Sequence, residues 1–307
     1  MRTRSTDDYV VGERKNRKPQ VLLYIGLILF TLICLLPLVL VIIISFSSQA
    51  SIRANGYSFF PTEWTLDGYR YVLEYGEQVI RSYGVTIAET VLGTLLALVV
   101  TGTFAYTLSR KDFMLRSALS FYMLITMLLH GGLLSSYLIN TNIYHLKDNF
   151  LILILPGCIT AGNVIIMRTY IQSNVPDSLI ESAVIDGAGE LTTFFKVVLP
   201  LMKPSMAAVG FMIAIGHWNE WMTAMLYIDD NELVPLQLML TRIEKNMQFL
   251  IENMQSMTAE QVAMLNDMPQ DAARMAILIC TLGPVLIIYP FFQKYFIKGM
   301  TMGAVKG

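Results

Sequence analysis

Two carboxylates stand inside long apolar runs, Glu89 and Glu220, and they are the residues best placed to do chemistry. An ionisable group in such a run is costly, so it defaults to a functional reading. Trp218, Asn219, Trp221 and Tyr227 accompany Glu220. Carboxylates and amides hydrogen-bond hydroxyl groups, and aromatic faces pack on flat apolar surfaces. The competing reading is a polar contact between helices, with the tryptophans as interface anchors. Glu89 lies eight residues inward from Arg81 and Glu220 nine inward from Asp229. At about 1.5 Å per residue, both carboxylates sit roughly 12–14 Å inside the same edge.

Other chemistry is sparse. Cys34, Cys158 and Cys280 each lie in an apolar run without paired spacing, which predicts inert thiols and neither disulfide nor zinc. His130, His145 and His217 are in or beside the apolar runs, where packing is their expected role. The sequence has no Gly-x-x-x-x-Gly-Lys-Ser/Thr, no His-Glu-x-x-His and no Gly-x-Ser-x-Gly. The expectation is a chain without enzymatic or nucleotide-cleaving activity of its own, and without a metal or other cofactor.

The elements that must position these residues are membrane spans. The chain has 307 residues, 54% of them hydrophobic and 15% charged, with mean hydropathy +0.54. A soluble domain carries about 25% charged residues. A net charge of −1 makes nucleic acid an unexpected partner. A bilayer core needs roughly 20 apolar helical residues. Six runs meet that length, at about 21–46, 82–109, 117–139, 149–172, 204–228 and 275–295. The first is too long for a signal-peptide core and reads as a retained span. With the N-terminus inside, inner segments hold 15 of the 22 Lys and Arg residues. That asymmetry predicts both termini in the cytoplasm. The fold class is therefore all-α and integral to the membrane, with six transmembrane helices. Residues 1–20 and 298–307 are cytoplasmic tails around a transmembrane domain over 21–297. Outer loops cover 47–81 and 229–274, and a cytoplasmic loop covers 174–203. In the second outer loop, Leu236, Met239, Leu240, Ile243 and Met247 share one helical face. Thr258 and Gln261 have the spacing of a capping box for a further short helix.

The cytoplasmic loop contains Ser178 and Glu181, also spaced as a capping box. A break follows near Gly187 to Gly189, because glycine is poor in helix interiors and good just beyond a C-terminus. Gly187 requires a positive φ or a close approach. Asp186 suits the turn beside it. A second amphipathic stretch carries Leu191, Phe194, Phe195 and Val198 on one face, Pro200 ends it, and Pro204 falls in the first turn of span five.

This loop resembles the signature of ABC importer permeases, Glu-Ala-Ala, three residues, Gly, nine residues, then Ile-x-Leu-Pro. Here it reads Glu181-Ser182-Ala183, Gly187, then Val197-Val198-Leu199-Pro200. The departures are Ser182 for Ala and Val197 for Ile. Asp186-Gly187-Ala188 and Lys203-Pro204 are similar to the carbohydrate-uptake, maltose-type branch. So are Gly131-Gly132-Leu133, Gly216-His217-Trp218-Asn219, and the ending from Gln293 to Gly307. The resemblance covers essentially the whole chain.

It implies a permease subunit of the bacterial cytoplasmic membrane, importing a sugar, most readily an oligosaccharide. It implies that ATP and Mg are bound by a pair of partner ATPases, and that a second homologous permease and an extracytoplasmic solute-binding protein complete the importer. It implies that Glu181, Ser182, Ala183, Asp186, Gly187, Ala188, Leu199 and Pro200 form the coupling loop on which an ATPase docks. Glu89, Trp218, Asn219, Glu220 and Trp221 are then candidates for a sugar passage in the outer half of the membrane. An ion-driven secondary transporter would show an internal repeat and midplane ion ligands. An integral membrane enzyme would show a converging His, Asp or Cys constellation. Neither pattern is present in the sequence.

Overall fold

The computed structural model describes residues 17–74, 76–129, 131–253, 258 and 268–304, with side chains between 23 and 293. It is nearly all helical; among the described residues the only strand-like pairing is an antiparallel bridge between Ser47 and Trp64. Among the described residues, four helical stretches are long and apolar enough to cross a membrane: Leu23–Ser45, Gly76–Ser109, Glu190–Trp218 and Gln270–Gln293. Two bent pairs bring the number to six if each pair is one span.

The first expected span is α1 (Arg17–Ser45), apolar all round and largely exposed, as suits a helix bathed in lipid. Two short outer helices follow, α2 (Gln49–Asn55) and α3 (Asp67–Glu74). The second span is α4 (Gly76–Ser109), which begins six residues before the expected start.

The third and fourth runs are each broken, where unbroken helices were expected. Over 117–139 the chain forms α5 (Arg116–Leu128) and α6 (Leu133–Leu138), the latter continuing through a π-turn at Ile139–Ile143. The two halves meet at 113°. Gly132, with φ +82°, takes a conformation a side chain would strain. Over 149–172 the chain forms α7 (Leu151–Ile154), a 3₁₀ turn at Leu155–Gly157, and α8 (Ala161–Asn174), bent by 52°. Pro156 supplies no N–H to continue α7, and Gly157 follows it.

The fifth run differs most. After α9 (Asp177–Ile185), one helical path runs through α10 (Glu190–Thr193), a π-turn at Phe194–Val198, and α11 (Leu199–Trp218). Pro200 does not end a helix, and Pro204 lies inside one. The wide π-turn, closed by the Leu199 N–H on the Phe194 carbonyl, makes room where the Pro200 ring would collide with the preceding turn. That π-turn also redistributes the expected apolar face. Phe194 and Val198 are buried, whereas Leu191 and Phe195 point outward. The path breaks at Asn219–Trp221 and resumes as α12 (Met222–Tyr227), so the span expected over 204–228 is interrupted near its outer end.

In the outer loop, α13 (Leu236–Glu252) buries Leu236, Met239, Leu240, Ile243 and Met247, the face expected from the sequence. Gln261 and the expected capping box lie outside the described residues. The last helix, α14 (Gln270–Ala304), runs through Pro284 and Pro290 and well into the expected tail.

Two large apolar cores and a small third one, where Ile44, Ile52 and Ala272 meet, result among the described residues. The outer one joins α13 to α4, α12 and α14, and the inner one joins α4, α8, α11 and the turn after α10. The first N–H of α13, that of Leu236, donates to the fully buried Thr86 hydroxyl of α4 at 2.8 Å. Replacing Thr86 by Val keeps the shape and orphans that donor. We expect Thr86→Val to destabilise the chain by about 1–3 kcal/mol in a thermal-shift measurement. Thr103→Val should be nearly neutral, because the Thr103 hydroxyl only bonds carbonyls of its own helix.

Candidate functional site

The signature loop forms a helix–elbow–helix at the end of the bundle expected to face the cytoplasm. Its elbow is a complete Schellman motif. The N–H of Gly187 donates to the Val184 carbonyl at 3.0 Å, and that of Ala188 to the Ala183 carbonyl at 2.9 Å. Asp186 is the last residue before the turn, and Gly187 has φ +80° with open space around it. Its glycine is thus required by backbone conformation and not by crowding. Ala183, Asp186, Gly187 and Ala188 are accounted for by this motif.

The capping box at the front of the loop does not form. The helix begins two residues earlier, with Pro176 in the N-cap position and Asp177 in the first turn. The Ser182 hydroxyl instead donates to the Ser178 carbonyl, and Glu181 projects from the surface. Asp177 competes successfully for the helix start, since a carboxylate there meets the helix dipole. It also reaches Lys111 at 2.6 Å.

A second anchor holds the other arm. Tyr106 donates its hydroxyl to Glu190 at 2.8 Å, and Arg110 lies 3.6 Å from the same carboxylate. Phe194 packs on Tyr106 with ring centroids 5.3 Å apart. Both arms of the elbow are therefore fastened to the inner end of α4 and the turn that follows it. The tip is left bare: Ile185, Leu191 and Phe195 are 84%, 72% and 55% exposed. Leu199 is partly buried against the inner core and Pro200 is exposed on the adjoining helix.

In the outer half, Glu89 is fully buried and its nearest cation-forming partner is His217, with Nδ1 3.6 Å from Oε1. That is longer than a hydrogen bond, and both Glu89 oxygens lack one. The imidazole lies in a slot between two glycines. A Cβ on Gly93 would fall 2.6 Å from Nε2, and one on Gly157 would fall 3.2 Å from Cε1. The 3₁₀ turn that breaks the fourth run thus admits the ring. His217 is packed, as expected from the sequence, and its approach to Glu89 is not expected from it. The usable signal was the two glycines, but nothing in the sequence says they face each other.

Glu220 accepts the Thr223 N–H at 2.8 Å, capping α12 where the fifth run is interrupted. Glu220 also lines a pocket of about 340 Å³ together with His217. His217 thus faces Glu89 and shares a pocket with Glu220. The tryptophans do not join them. Trp218 is buried and donates to the Thr281 carbonyl at 3.0 Å. Trp221 packs on the outer core under Lys245, whose Nζ is 5.7 Å from the ring centre. Tyr227 is buried against Tyr137 and accepts from Asn140. Asn219 is exposed and bonds the Ile215 carbonyl and Gln237.

A double-mutant cycle tests the glycine slot. Gly93→Ala alone should cost about 1–3 kcal/mol, the usual penalty of overpacking. In a His217→Ala background the same change should cost much less, a non-additivity readable by thermal shift.

The family described as "Binding-protein-dependent transport system inner membrane component" matches residues 10–302. The chain is 36% identical over 293 residues to the polygalacturonan/rhamnogalacturonan transport system permease protein YtcP of Bacillus subtilis, covering 95% of this chain and 100% of that one. It is 27% identical to the arabinooligosaccharides transport system permease protein AraQ of Halalkalibacterium halodurans, over 93% of this chain and 96% of that one. Among solved structures, a chain of a bacterial ABC transporter involved in the import of the acidic polysaccharide alginate is similar, with TM-score 0.77 and 28% identity. That match covers 96% of this chain and 100% of the other. The chain belongs to the family of binding-protein-dependent transport system inner membrane components.

Proposed function

We propose that this chain is a permease subunit of an ATP-driven importer that carries a saccharide, most readily an oligosaccharide, across the bacterial cytoplasmic membrane. The observation that carries the reading is the elbow at Gly187, fixed to α4 by two polar anchors while its apolar tip stays uncovered. Exposed apolar groups on a rigid knob are a docking surface awaiting a partner. The partner is a cytoplasmic ATPase dimer, which binds ATP and Mg; this chain holds neither. A second homologous permease and an extracytoplasmic solute-binding protein complete the assembly. Each bent pair counts as one span, which gives six, with both termini in the cytoplasm. The lysine and arginine asymmetry supports that orientation. The relatives named for polygalacturonan, rhamnogalacturonan and arabinooligosaccharides supply the saccharide classes to test.

Closure of the ATPases on ATP moves the docked elbow. Its second arm is continuous with α11, and its anchors engage α4, so both helices receive the displacement. Those two helices carry His217 and Glu89 in the outer half.

Gly187→Val places a β-branched residue at φ +80°, where L side chains are strained by about 1–2 kcal/mol. The expected outcome is that the spans still insert while the ATPase is released, or that hydrolysis no longer drives uptake. Co-purification and coupled uptake assays in proteoliposomes measure both. A fully coupled Gly187→Val importer would sink the docking assignment. Purified wild-type complex should also take up at least one member of a galacturonan, rhamnogalacturonan and arabinan oligosaccharide panel.

A further inference from the structure

At the end of the bundle that carries the elbow, several carboxylates already have partners. Asp112 pairs with Arg110, Asp177 with Lys111, and Glu190 with Tyr106 and Arg110. Two arginines there stand outside these pairs. Arg168 on α8 donates from Nη1 to the Ser120 hydroxyl of α5 at 2.9 Å. Ser120 in turn donates to the Arg116 carbonyl at 2.7 Å. Arg116 opens α5, so Arg168 is drawn onto the first turns of that helix. The charge that acts on Arg168 is that of Arg116, a like charge. No ion pair among the described residues includes either arginine. The Arg168 Nε–H is buried without a hydrogen-bond partner.

Like charges held side by side repel, and a buried donor without an acceptor is costly. An anion with several acceptor oxygens removes both costs. A guanidinium carries five donors in a fixed fork, which matches the oxygens of a phosphate. α5 also starts without a side-chain cap, and its dipole favours negative charge at that end. The surroundings decide which phosphate. Met114, Leu115, Phe121 and Tyr122 are exposed on α5 and the turn before it, as are Ile165 and Ile166 on α8. Arg168 lies six residues, about 9 Å, before α8 ends at Asn174. An arginine side chain reaches from that depth to the headgroup layer. A free phosphate ion would use the arginines alone; a phospholipid uses the arginines and the apolar surface beside them.

We propose that Arg116 and Arg168 form a binding site for the headgroup phosphate of an anionic phospholipid, in the leaflet on the elbow's side of the membrane. Its acyl chains lie against the exposed apolar residues of α5 and α8. Two cations without a carboxylate outweigh the single charge of one phosphate, which selects lipids of net negative charge over zwitterionic ones. α8 leads through Val175 into α9, so a bound lipid braces the root of the elbow by fastening α5 to α8. This site does not depend on which solute the chain helps to carry.

The test titrates the complete purified complex with phosphatidylglycerol or phosphatidylcholine and reads lipid binding by native mass spectrometry. Arg116→Gln and Arg168→Gln should each weaken phosphatidylglycerol binding about fivefold, the effect of one arginine beside an anionic headgroup. Phosphatidylcholine binding should change much less. Arg168→Lys keeps the charge and loses the fork, and should fall between. Arg70→Gln on α3, where the partner is the exposed Asp67, should bind as the wild type does. Arg116 has no ion pair to lose, so its variant carries the test even where Arg168→Gln fails to assemble. Unchanged phosphatidylglycerol binding by the Arg116→Gln/Arg168→Gln double variant overturns the site. An equal loss for both lipids overturns its anionic selectivity. Inorganic phosphate that raises the Tm of the wild type but not of the double variant, with lipid binding unaltered, assigns the arginines to a free ion and overturns the lipid. Loss of a second permease from the double variant on co-purification also overturns it, since the arginines would then meet that subunit. A complex that moves no saccharide overturns the importer reading and leaves these affinities as they are.

Discussion

A backbone N–H or C=O inside hydrocarbon has no solvent to turn to, so each must find its partner within the chain. Most of what distinguishes this fold follows from how its helix breaks satisfy that constraint. The fourth run is interrupted at Pro156–Gly157, and the freed turn is covered by α4, whose Thr101 hydroxyl reaches the Cys158 carbonyl at 3.5 Å. The fifth run is interrupted after Trp218, and Glu220 caps the helix that resumes. Pro284 deprives Cys280 of its donor, and the Tyr83 hydroxyl supplies one at 2.8 Å. The breaks are therefore not scattered defects. Two of them, at Pro156–Gly157 and at Pro284, are met by hydroxyls of the long unbroken helix α4.

The same helix joins the two ends of the molecule. At its inner end Tyr106 anchors the elbow directly, and Arg110 and Lys111 do so from the turn that follows. In its outer half Glu89 lies against His217, and Gly93 makes room for that ring. A helix of 34 residues spans about 50 Å at 1.5 Å per residue, more than the hydrocarbon thickness. It is stiff over that length because none of its residues is proline. α11 runs beside it, preceded by a π-turn, carrying Pro204 and interrupted at the Asn219 end.

Much of this was readable before any coordinates. Apolar length and the scarcity of charge indicated membrane helices, because a bilayer imposes a minimum run on any chain that crosses it. The face of α13 was legible from its 3.6-residue period. The turn at Gly187 was legible because a positive φ has few occupants other than glycine. The signature spacing of Glu181, Gly187 and Pro200 identified the family, since those positions report a local structure that needs no distant partner to specify it.

What the sequence misjudged depended on neighbours remote along the chain. Ser178 was a sound cap in isolation, but Lys111 and the helix dipole favour Asp177 and move the helix start. Pro200 was a sound helix stop, but the π-turn before it absorbs the ring and the helix continues. Trp218 is buried with its indole N–H on a carbonyl of α14, a contact no local pattern specifies. His217 is packed and buried as expected, but its charged neighbour, Glu89, is 128 positions away, so no local signal pairs the two. Local periodicity, run length and glycine conformation are written in consecutive residues, so the sequence alone determined the spans' existence, the elbow and the family. Which carboxylate meets which base, and which polar groups are left facing a pocket, is decided only when α4, α8 and α11 pack, because hydrocarbon compels each polar group to find whatever partner that packing provides.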